Sequence, residues 1–287
     1  MAKAVSDLPN ATRPKGLNDP SVLARLGVLL GIFGLNRPYL TVSDVAGLLK
    51  ASDATAYRYL GELCQIGLLA RHAHRYSLGP KVIELEYIMR QFDPVLGKEE
   101  ETFRTLARSS SCHVLFCNYY GDTIVNVHHE KAEEPLNLTF TKGRSMPLFR
   151  GSQARILLAN MERRRLKRLF ETHIGDEDLL RIGRDWKAFS AEMRKVRNDG
   201  YYISRGELDP TTTGIAVPVF EEERILGSLV LAFSSLRPPV LPETVLIAMA
   251  RATADAMTER IGQQFKARSG DLLDDGRATD PPTVKRG

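Results

Sequence analysis

The chain has 287 residues, of which 43% are hydrophobic and 26% are charged, a composition typical of a globular protein. Its length exceeds the usual domain size of about 100–200 residues and predicts two domains. Forty Lys and Arg residues against thirty-five Asp and Glu residues give a formal net charge of +5, a bias that is compatible with nucleic-acid contact without establishing it.

The sequence carries no membrane or targeting signal. No apolar run approaches the roughly 18 residues that a membrane span requires, and Met1–Gly16 has no apolar segment behind its lysines. We therefore expect a cytoplasmic protein with no membrane partner. Cys64, Cys112 and Cys117 cannot all pair and show no CxxC spacing, which argues against a disulfide framework and a four-ligand zinc site. We expect no cofactor.

Composition divides the chain into five segments. Residues 1–20 and 266–287 combine Pro, Gly and charged residues with few apolar ones, so we expect two flexible tails. Between them, three helices and a strand pair are predicted over 21–80, a helical linker over 81–94, and a mixed domain over 95–265. The predicted fold class is α+β.

The helices of the first domain have clear boundaries. Thr41 and Asp44 form a capping-box pattern at the start of the short second helix. The third helix runs from about residue 51 to Gly67, a residue suited to the left-handed position after a helix. Asp53 is assigned to the buried side of this helix. The residues predicted to form its buried face are Ala56, Tyr57, Leu60, Leu63 and Cys64.

The opposite face of the third helix has the character of a DNA reader. Small residues allow close approach to the major groove, Thr55 can bond a base or a phosphate, and Arg58 can reach a guanine edge or the backbone. The two short strands predicted over 68–78 carry Arg71 and Arg75 and no acid. A basic hairpin of this kind fits beside a sugar-phosphate backbone, although solvated charges on any three-helix domain give part of the same pattern.

These residues resemble the IclR-type bacterial transcriptional regulators, and the resemblance extends over about 21–265. It depends on the T-x-Y-R-x-L pattern of the third helix and on the Y-S-L-G ending of the hairpin. It implies an N-terminal winged helix-turn-helix that binds a double-stranded DNA operator. The residues implied to approach the groove are Ser52, Thr55, Arg58 and Tyr59, and those implied to contact phosphates are Arg71 and Arg75.

The linker helix carries apolar residues at spacings of three, four and three, namely Val82, Leu85, Met89 and Phe92. This spacing fits a short seam between two helices and fits packing against the protein's own domain equally well. The resemblance implies a homodimer that can pair further into a tetramer.

The second domain is predicted to mix helices with strands. A helix is expected over 95–109 and a last helix over 241–265, with further helices across 151–199. The predicted strands are 112–119, 122–129, 135–140, 200–205, 213–220 and 225–234. The resemblance continues in Gly143–Asn160 and Glu207–Phe220 and implies a GAF-like effector-binding domain, with an antiparallel sheet flanked by helices.

The residues of these two segments suit a small anionic ligand. A helix that starts at Ser152 offers free amide hydrogens and a hydroxyl, which favour a carboxylate. A few polar groups within an apolar lining is the usual character of a metabolite pocket. The predicted effector-binding residues are Met146, Leu148, Phe149, Arg150, Gly151, Ser152, Asp209, Thr213, Gly214 and Ser228.

Three positions depart from the family pattern. Phe149-Arg150 stands where relatives often have small residues or a histidine, Ala154-Arg155 where Gly-Lys is common, and Gly214 where a cysteine is often seen. Phe149 is expected to narrow the pocket, to stack on an aromatic ring or to pack in the core. Arg150 is expected to pair with an anion or to lie in solvent. We expect an effector that is a carboxylated metabolite, with an aromatic ring as one option.

Catalytic and metal-binding patterns are weak in this sequence. Ser152 lacks the G-x-S-x-G context of a nucleophile, and His113 with Cys117 on one strand face makes only an incomplete metal site. We therefore hypothesise a ligand-responsive DNA-binding transcriptional regulator and not an enzyme. The alternatives are a metabolite-converting enzyme built on the C-terminal domain and a constitutive DNA-binding protein without an effector.

Overall fold

The computed structural model describes residues 22–34, 36–121 and 123–275. The predicted tail over 1–20 lies outside the described residues, and so does 276–287 of the second predicted tail. Residues 266–275, which were predicted to belong to that second tail, continue the last helix of the chain, which ends at Asp275. The chain divides into two compact units, one ending at Phe92 and the other beginning at Asp93. Among the described residues, no helix is both long and apolar enough to cross a membrane.

In its described residues, the first unit contains four helices and one antiparallel hairpin. Its elements are α1 (Val22–Leu30), α2 (Val42–Leu49), α3 (Asp53–Gln65), β1 (Leu69–His72), β2 (Arg75–Leu78) and α4 (Pro80–Phe92). Apolar side chains from α1, α2, α3 and the hairpin meet in one core, which includes Leu29, Leu40, Val45, Ala56, Leu60, Leu63, Leu69 and Tyr76. None of the residues of α4 is buried.

Local capping fixes where α2 begins. The Thr41 side chain accepts a hydrogen bond from the Asp44 backbone N–H at 3.3 Å, and the Asp44 carboxylate accepts one from the Thr41 backbone N–H at 2.8 Å. This confirms the predicted capping box. Partial burial would raise the pKa of Asp44, but bonds from Thr41 and the nearby Arg37 guanidinium favour the charged form and leave the pKa below its ordinary value.

Two glycines position the hairpin against the end of α3. Gly67 has φ +78°, the left-handed conformation predicted for it. Gly79 is required for space, because a Cβ there would lie 2.2 Å from the Gly67 carbonyl oxygen. The Gly79 N–H donates to the Leu68 carbonyl at 2.8 Å, so the Y-S-L-G ending closes the hairpin onto the end of α3.

The part of the second unit that the structure describes is a six-stranded antiparallel sheet with helices on both faces. Strands are β3 (His113–Tyr120), β4 (Thr123–Glu130), β5 (Ser145–Met146), β6 (Tyr202–Arg205), β7 (Thr212–Glu221) and β8 (Arg224–Ser234), in the spatial order β5-β4-β3-β8-β7-β6. Helices are α5 (Glu100–Ser110), α6 (Ser152–Ala159), α7 (Arg163–Thr172), α8 (Glu177–Ile182), α9 (Trp186–Asp199) and α10 (Glu243–Asp275).

Side-chain alternation along the central strands separates two cores. On β8, Leu229 and Leu231 contribute to the core that includes α5 and α10. Val230 and Ala232, between and beside them, contribute to the core that includes α6, α7 and α9. This is the period of two that an extended strand imposes.

Two further predicted elements of this unit differ from the structure. The helix predicted from residue 95 begins at Glu100, because the Asp93 carboxylate accepts bonds from the backbone N–H groups of Val95 and Leu96 and holds a turn there. The strand predicted over 135–140 is irregular backbone. Its alternating apolar residues pack on the core without a partner strand; these are Leu136, Leu138 and Phe140. The alternation of apolar residues here therefore reflects packing on the core and not pairing in a sheet.

Candidate functional site

The exposed face of α3 carries the predicted DNA-reading residues. Ser52 is the N-cap, and its hydroxyl accepts the Thr55 backbone N–H at 3.3 Å and lies 3.0 Å from the Thr55 hydroxyl. The Arg58 side chain is 66% exposed, its Cζ is 5.4 Å from the Tyr59 ring centroid, and its Nε lies 4.0 Å from Glu62. Arg58 is therefore extended along a solvent-facing surface beside a partly exposed aromatic ring.

Two orientations predicted for α3 are wrong. The periodicity predicts Tyr57 on the buried face, but its side chain is 50% exposed. It predicts Asp53 on the buried side, but Asp53 is also exposed. The buried stripe is narrow because Ala56, Leu60 and Leu63 alone fill it, and a position one residue away is rotated by about 100°. Tyr57 is thus an aromatic ring on the exposed side that the sequence reading missed.

The hairpin presents both predicted arginines to solvent. Arg71 and Arg75 are exposed at the end of the ladder, where His72 pairs with Arg75. The Arg71 Nε donates to the Ala73 carbonyl at 3.1 Å, and Ala73 itself adopts φ +54° at the turn. The tip is therefore a tight turn with two guanidinium groups beside it and no acidic residue in its sequence.

The second unit has a small cavity between the sheet and the start of α6. Its volume is about 30 Å³, enough for a water molecule or two and too small for a metabolite. Of the predicted effector residues, four line it: Met146, Ser152, Asp209 and Gly214. The wall also contains residues that the sequence reading missed, namely Leu115, Leu138, Phe140, Gln153, Ser204, Leu208, Thr212, Val230 and Ala232.

Two of the predicted effector residues, Phe149 and Arg150, contact other parts of the unit. Phe149 is 2% exposed and packs edge-on against His173 and Phe189, so core packing is the alternative that the structure supports. Arg150 Nε lies 3.8 Å from the Asp178 carboxylate. Neither of these side chains lies on the cavity wall.

Three further predicted residues are also absent from the cavity wall. Leu148 is half-buried against the apolar core beside it. The Thr213 hydroxyl lies 2.8 Å from that of Ser235, on the side of β7 opposite Gly214. Ser228 is fully buried in β8, where its register neighbours are Cys117 and Pro218.

The helix start predicted to bind an anion already holds a carboxylate. The Gly151 backbone N–H donates to Glu207 Oε2 at 2.9 Å, and the Tyr202 hydroxyl donates to Glu207 Oε1 at 3.0 Å. The Arg155 guanidinium lies over the Tyr202 ring, 5.4 Å from its centroid, and Arg155 is only 8% exposed. Burial raises the pKa of Tyr202 and Glu207 acts in the same direction, whereas the Arg155 charge opposes it.

The loop that contains Thr139 covers the cavity and is hydrogen-bonded to Asp209 in the cavity wall. The Thr139 backbone N–H donates to Asp209 Oδ2 at 3.2 Å, and its hydroxyl donates to the other carboxylate oxygen. The Asn126 side chain donates to the Phe140 carbonyl at 3.1 Å. Asp209 therefore combines two roles, because it lines the cavity and holds the covering segment over it.

Gly214 lies close to the hydroxyl groups of two serines, Ser152 and Ser204. A Cβ at this position would lie 2.8 Å from the Ser152 Oγ and 3.1 Å from the Ser204 Oγ. The glycine therefore leaves room for both serine side chains at one end of the cavity. A cysteine, common here in the family that the sequence resembles, would displace at least one of them.

A histidine pair, His113 on β3 and His129 on β4, lies at one side of the sheet; His113 is buried and His129 is half-buried. His113 Nε2 is 2.8 Å from the Glu134 carbonyl, and His113 Nδ1 is 3.0 Å from His129 Nε2. Since a carbonyl only accepts, His113 donates from Nε2, and a neutral His113 ring then accepts the proton of His129 Nε2 at Nδ1. Burial first, then the charges of His113, Lys131 and His128, lower the pKa of His129 to about 4. Within the described ranges, no three His, Cys, Asp or Glu residues are grouped to hold a metal ion.

Comparison with known proteins assigns the family. Residues 93–259 match the family described as the C-terminal domain of the bacterial transcriptional regulator IclR, so the chain belongs to the IclR family of transcriptional regulators. It is 26% identical to KipR of Bacillus subtilis over 79% of this chain and 94% of that protein, and 26% identical to KdgR of Escherichia coli over 76% and 83%. Both are named HTH-type transcriptional regulators, and the chain is a regulator and not an enzyme.

A solved structure shows the same fold. The IclR homolog of Microbacterium hydrocarbonoxydans, solved in complex with 4-hydroxybenzoate, superposes with a TM-score of 0.68 and 19% identity. The comparison covers 84% of this chain and 99% of that one. The antiparallel sheet with helices on both faces is therefore the fold of the family's C-terminal domain.

Proposed function

We propose that the chain is a ligand-responsive regulator that binds a pseudopalindromic DNA operator through α3 and the hairpin. The observation that carries this proposal is the exposed surface formed by Ser52, Thr55 and Arg58 on α3, with Arg71 and Arg75 on the adjoining hairpin. The order of α2, α3 and hairpin is that of a winged helix-turn-helix, in which the second helix of the motif enters the major groove.

The proposed roles within this surface differ. Arg58 has the reach and donor geometry to read a guanine edge, and the adjacent Tyr59 ring supports its side chain. Ser52 and Thr55 place two hydroxyls at the N-terminal end of α3, where backbone N–H groups also favour a phosphate. Arg71 and Arg75 act on the sugar-phosphate backbone, which adds affinity that depends on salt but not on sequence.

Self-association is part of the same proposal. Leu85, Met89 and Phe92 of α4 are 49%, 46% and 69% exposed, an unusual state for three apolar side chains on one short helix. A second copy of the chain would cover them and place two α3 helices on two half-sites. A dimer, with pairing of dimers as a further step, is therefore the proposed form on DNA.

The effector is proposed to bind in the cavity at the start of α6. Ser152, Gln153, Ser204, Asp209 and Thr212 supply polar groups, and the rest of the wall is mostly apolar. A carboxylated metabolite, with an aromatic ring as in the 4-hydroxybenzoate complex of the Microbacterium homolog, fits this chemistry. Because the cavity holds only a water or two, ligand entry requires the segment around Thr139 to release Asp209.

The effector can regulate DNA binding only if it binds two arrangements of the protein unequally. A coupling free energy of about 1–3 kcal/mol corresponds to a change of about 5–150-fold in DNA affinity. A ligand that binds both arrangements equally well leaves the equilibrium between them unchanged.

Selection of genomic fragments by the purified full-length chain tests the DNA-binding proposal. We expect enrichment of a short inverted repeat. The enriched fragments then serve to screen carboxylates, beginning with 4-hydroxybenzoate, for altered DNA affinity. Failure to enrich any sequence over random genomic DNA would contradict the proposal.

Two variants test the position of the effector site once a responsive carboxylate is found. Ser152→Ala and Asp209→Ala are expected to keep DNA binding without effector and to lose most of the response, whereas Asp199→Ala, an exposed acid outside the cavity, should respond normally. An unchanged response in both cavity variants would place the site elsewhere. A chain that binds its operator but responds to no ligand would support the constitutive alternative.

A further inference from the structure

A second and larger concave site lies on the second unit, between α7 and α9. Its volume is about 390 Å³, within the range of small-molecule sites, and its floor includes Ala159, Leu166 and Met193. It shares no lining residue with the cavity beside Ser152. We refer to it as the α7–α9 groove.

The rim of the α7–α9 groove is basic. Arg163, Lys187, Arg194 and Arg197 line it, and no acidic side chain does. Asp185, next to the groove in sequence, uses its carboxylate to accept the Ala188 N–H at 2.8 Å. A cleft with charges of one sign concentrates the electrostatic potential and attracts counterions into it.

One of the four cations is fixed and three are available. Arg197 donates to the carbonyls of Ala159 and Met161, at 2.5 and 3.0 Å, and so anchors α9 to the end of α6. The charged side-chain groups of Arg163, Lys187 and Arg194 make no hydrogen bond or ion pair within the part of the chain that the structure describes. Three unpaired cations around one groove match a ligand with two or more negative charges.

An aromatic ring completes the α7–α9 groove. Trp186 is half-buried, and its ring packs against Phe170 and Phe189 with centroid distances of 5.8 and 6.1 Å. These contacts hold the indole in place while part of it faces the groove. A fixed, partly exposed indole beside cations provides a stacking surface for a planar ring that carries negative charge.

We propose that the α7–α9 groove binds a small phosphorylated compound with a planar ring, of the nucleoside diphosphate class. Its phosphates pair with Arg163, Lys187 and Arg194, and its ring stacks on Trp186. This site is independent of the cavity beside Ser152 and would give the regulator a second ligand input.

The chain offers a direct reporter for this site, since Trp186 is its one tryptophan. ADP is the probe, adenosine supplies the ring without charge, and inorganic pyrophosphate supplies the charge without a ring. Titration of the full-length chain with ADP is expected to quench tryptophan fluorescence saturably. Adenosine and pyrophosphate should each bind at least about tenfold more weakly. Added salt should weaken ADP binding.

Matched charge removals separate the groove from general basicity. The Arg163→Ala, Arg194→Ala double variant is expected to lose at least about tenfold in ADP affinity. The Arg164→Ala, Lys195→Ala double variant removes the same charge from exposed positions on the same helices, outside the groove, and should bind ADP as the parent does. Lys187→Ala provides an independent single change with the same expected direction.

Two results would overturn the site. The first is a lack of saturable binding of both ADP and pyrophosphate. The second is an equal loss of ADP affinity in the Arg163→Ala, Arg194→Ala variant and in the Arg164→Ala, Lys195→Ala control. Equal affinities for ADP and pyrophosphate would overturn the stacking role of Trp186. Ser152→Ala must leave ADP affinity unchanged, because a loss there would place ADP in the other cavity.

Discussion

The Gly151 backbone N–H donates a hydrogen bond to the Glu207 carboxylate at 2.9 Å, so the start of α6 is capped by an acid that is distant in sequence. A carboxylate at this position satisfies a free amide hydrogen and interacts favourably with the positive end of the helix. The anion that the sequence pattern predicts at Gly151 is therefore supplied by the protein itself.

Glu207→Ala is expected to lower the free energy of unfolding of the second unit by about 1 kcal/mol, the typical cost of losing a helix cap. Urea unfolding monitored by Trp186 fluorescence measures this change in the free energy of unfolding. Glu223→Ala, at an exposed turn, should change stability by less than about 0.5 kcal/mol. If the two variants were equally stable, the Glu207 bond would have no net stabilising role.

Gly214→Ala is expected to destabilise the second unit by about 1–3 kcal/mol, because its methyl group would overlap the Ser152 hydroxyl. Adding Ser152→Ala should relieve part of that cost, so the double variant should be at least about 0.5 kcal/mol more stable than the sum of the single changes predicts. Unfolding free energies of the four proteins give the coupling directly.

A glycine without neighbours supplies the control for this cycle. Gly262 in α10 has open space where a Cβ would be placed, and Gly262→Ala should be neutral or slightly stabilising. It should also be additive with Ser152→Ala. A coupling at Gly214 no larger than that at Gly262 would show that the close approach to Ser152 has no energetic consequence.

The histidine pair predicts a loss of stability in mild acid. The pKa of His129 falls from 6.5 to about 4 in the folded protein, so the unfolded chain binds its proton first as the pH decreases. This contribution to stability is fully present above about pH 6.5 and is lost as the pH falls towards 4, with a maximum slope of about 1.4 kcal/mol per pH unit.

Urea unfolding of wild type and His129→Gln at about pH 7 and about pH 5 tests this contribution. We expect the variant to show the smaller loss between the two conditions, since glutamine does not titrate there. His74→Gln, at the exposed hairpin turn, should retain the wild-type dependence. Identical pH profiles for wild type and His129→Gln would show that this pair does not sense acid.

Arg58→Ala and Arg71→Ala should weaken DNA binding in different ways. Loss of Arg58 is expected to cost about 1–3 kcal/mol on the selected operator and much less on random duplex, because a base contact is removed. Loss of Arg71 should weaken binding to both and reduce the salt slope by about one. Titrations of the operator and the random duplex at several salt concentrations distinguish these two kinds of loss. Equal losses for Arg58→Ala on operator and random DNA would contradict its base-reading role.

Local features of this fold are readable from sequence, whereas the composition of the cavity is not. The Thr41 and Asp44 capping box and the left-handed Gly67 depend on neighbouring residues alone, and both are found as predicted. Phe149 lies three residues before Ser152, yet its ring packs in the core while Ser152 lines the cavity. Only the path of the chain between them decides which side each takes.

Other cavity residues were missed because tertiary contacts bring them together. Ser204 meets Ser152 only through the pairing of β6 with β7, where Ser204 is opposite Gly214. Leu138 and Phe140 belong to a segment whose alternation is typical of a strand, so its role in covering a cavity was hidden. Tyr57 was misassigned because it lies at the edge of a narrow buried stripe, where a small rotation changes its environment.

The alternation of side chains along β8 has a mechanical consequence for any ligand of the small cavity. Val230 and Ala232 line that cavity, while Leu229 and Leu231 pack in the core that includes α10. A compound that enlarges the cavity by pressing on β8 must also rearrange the contacts of the long C-terminal helix, since one backbone carries both sets of side chains. β8 cannot move on the face that lines the cavity without also moving on the face that packs in the core that includes α10.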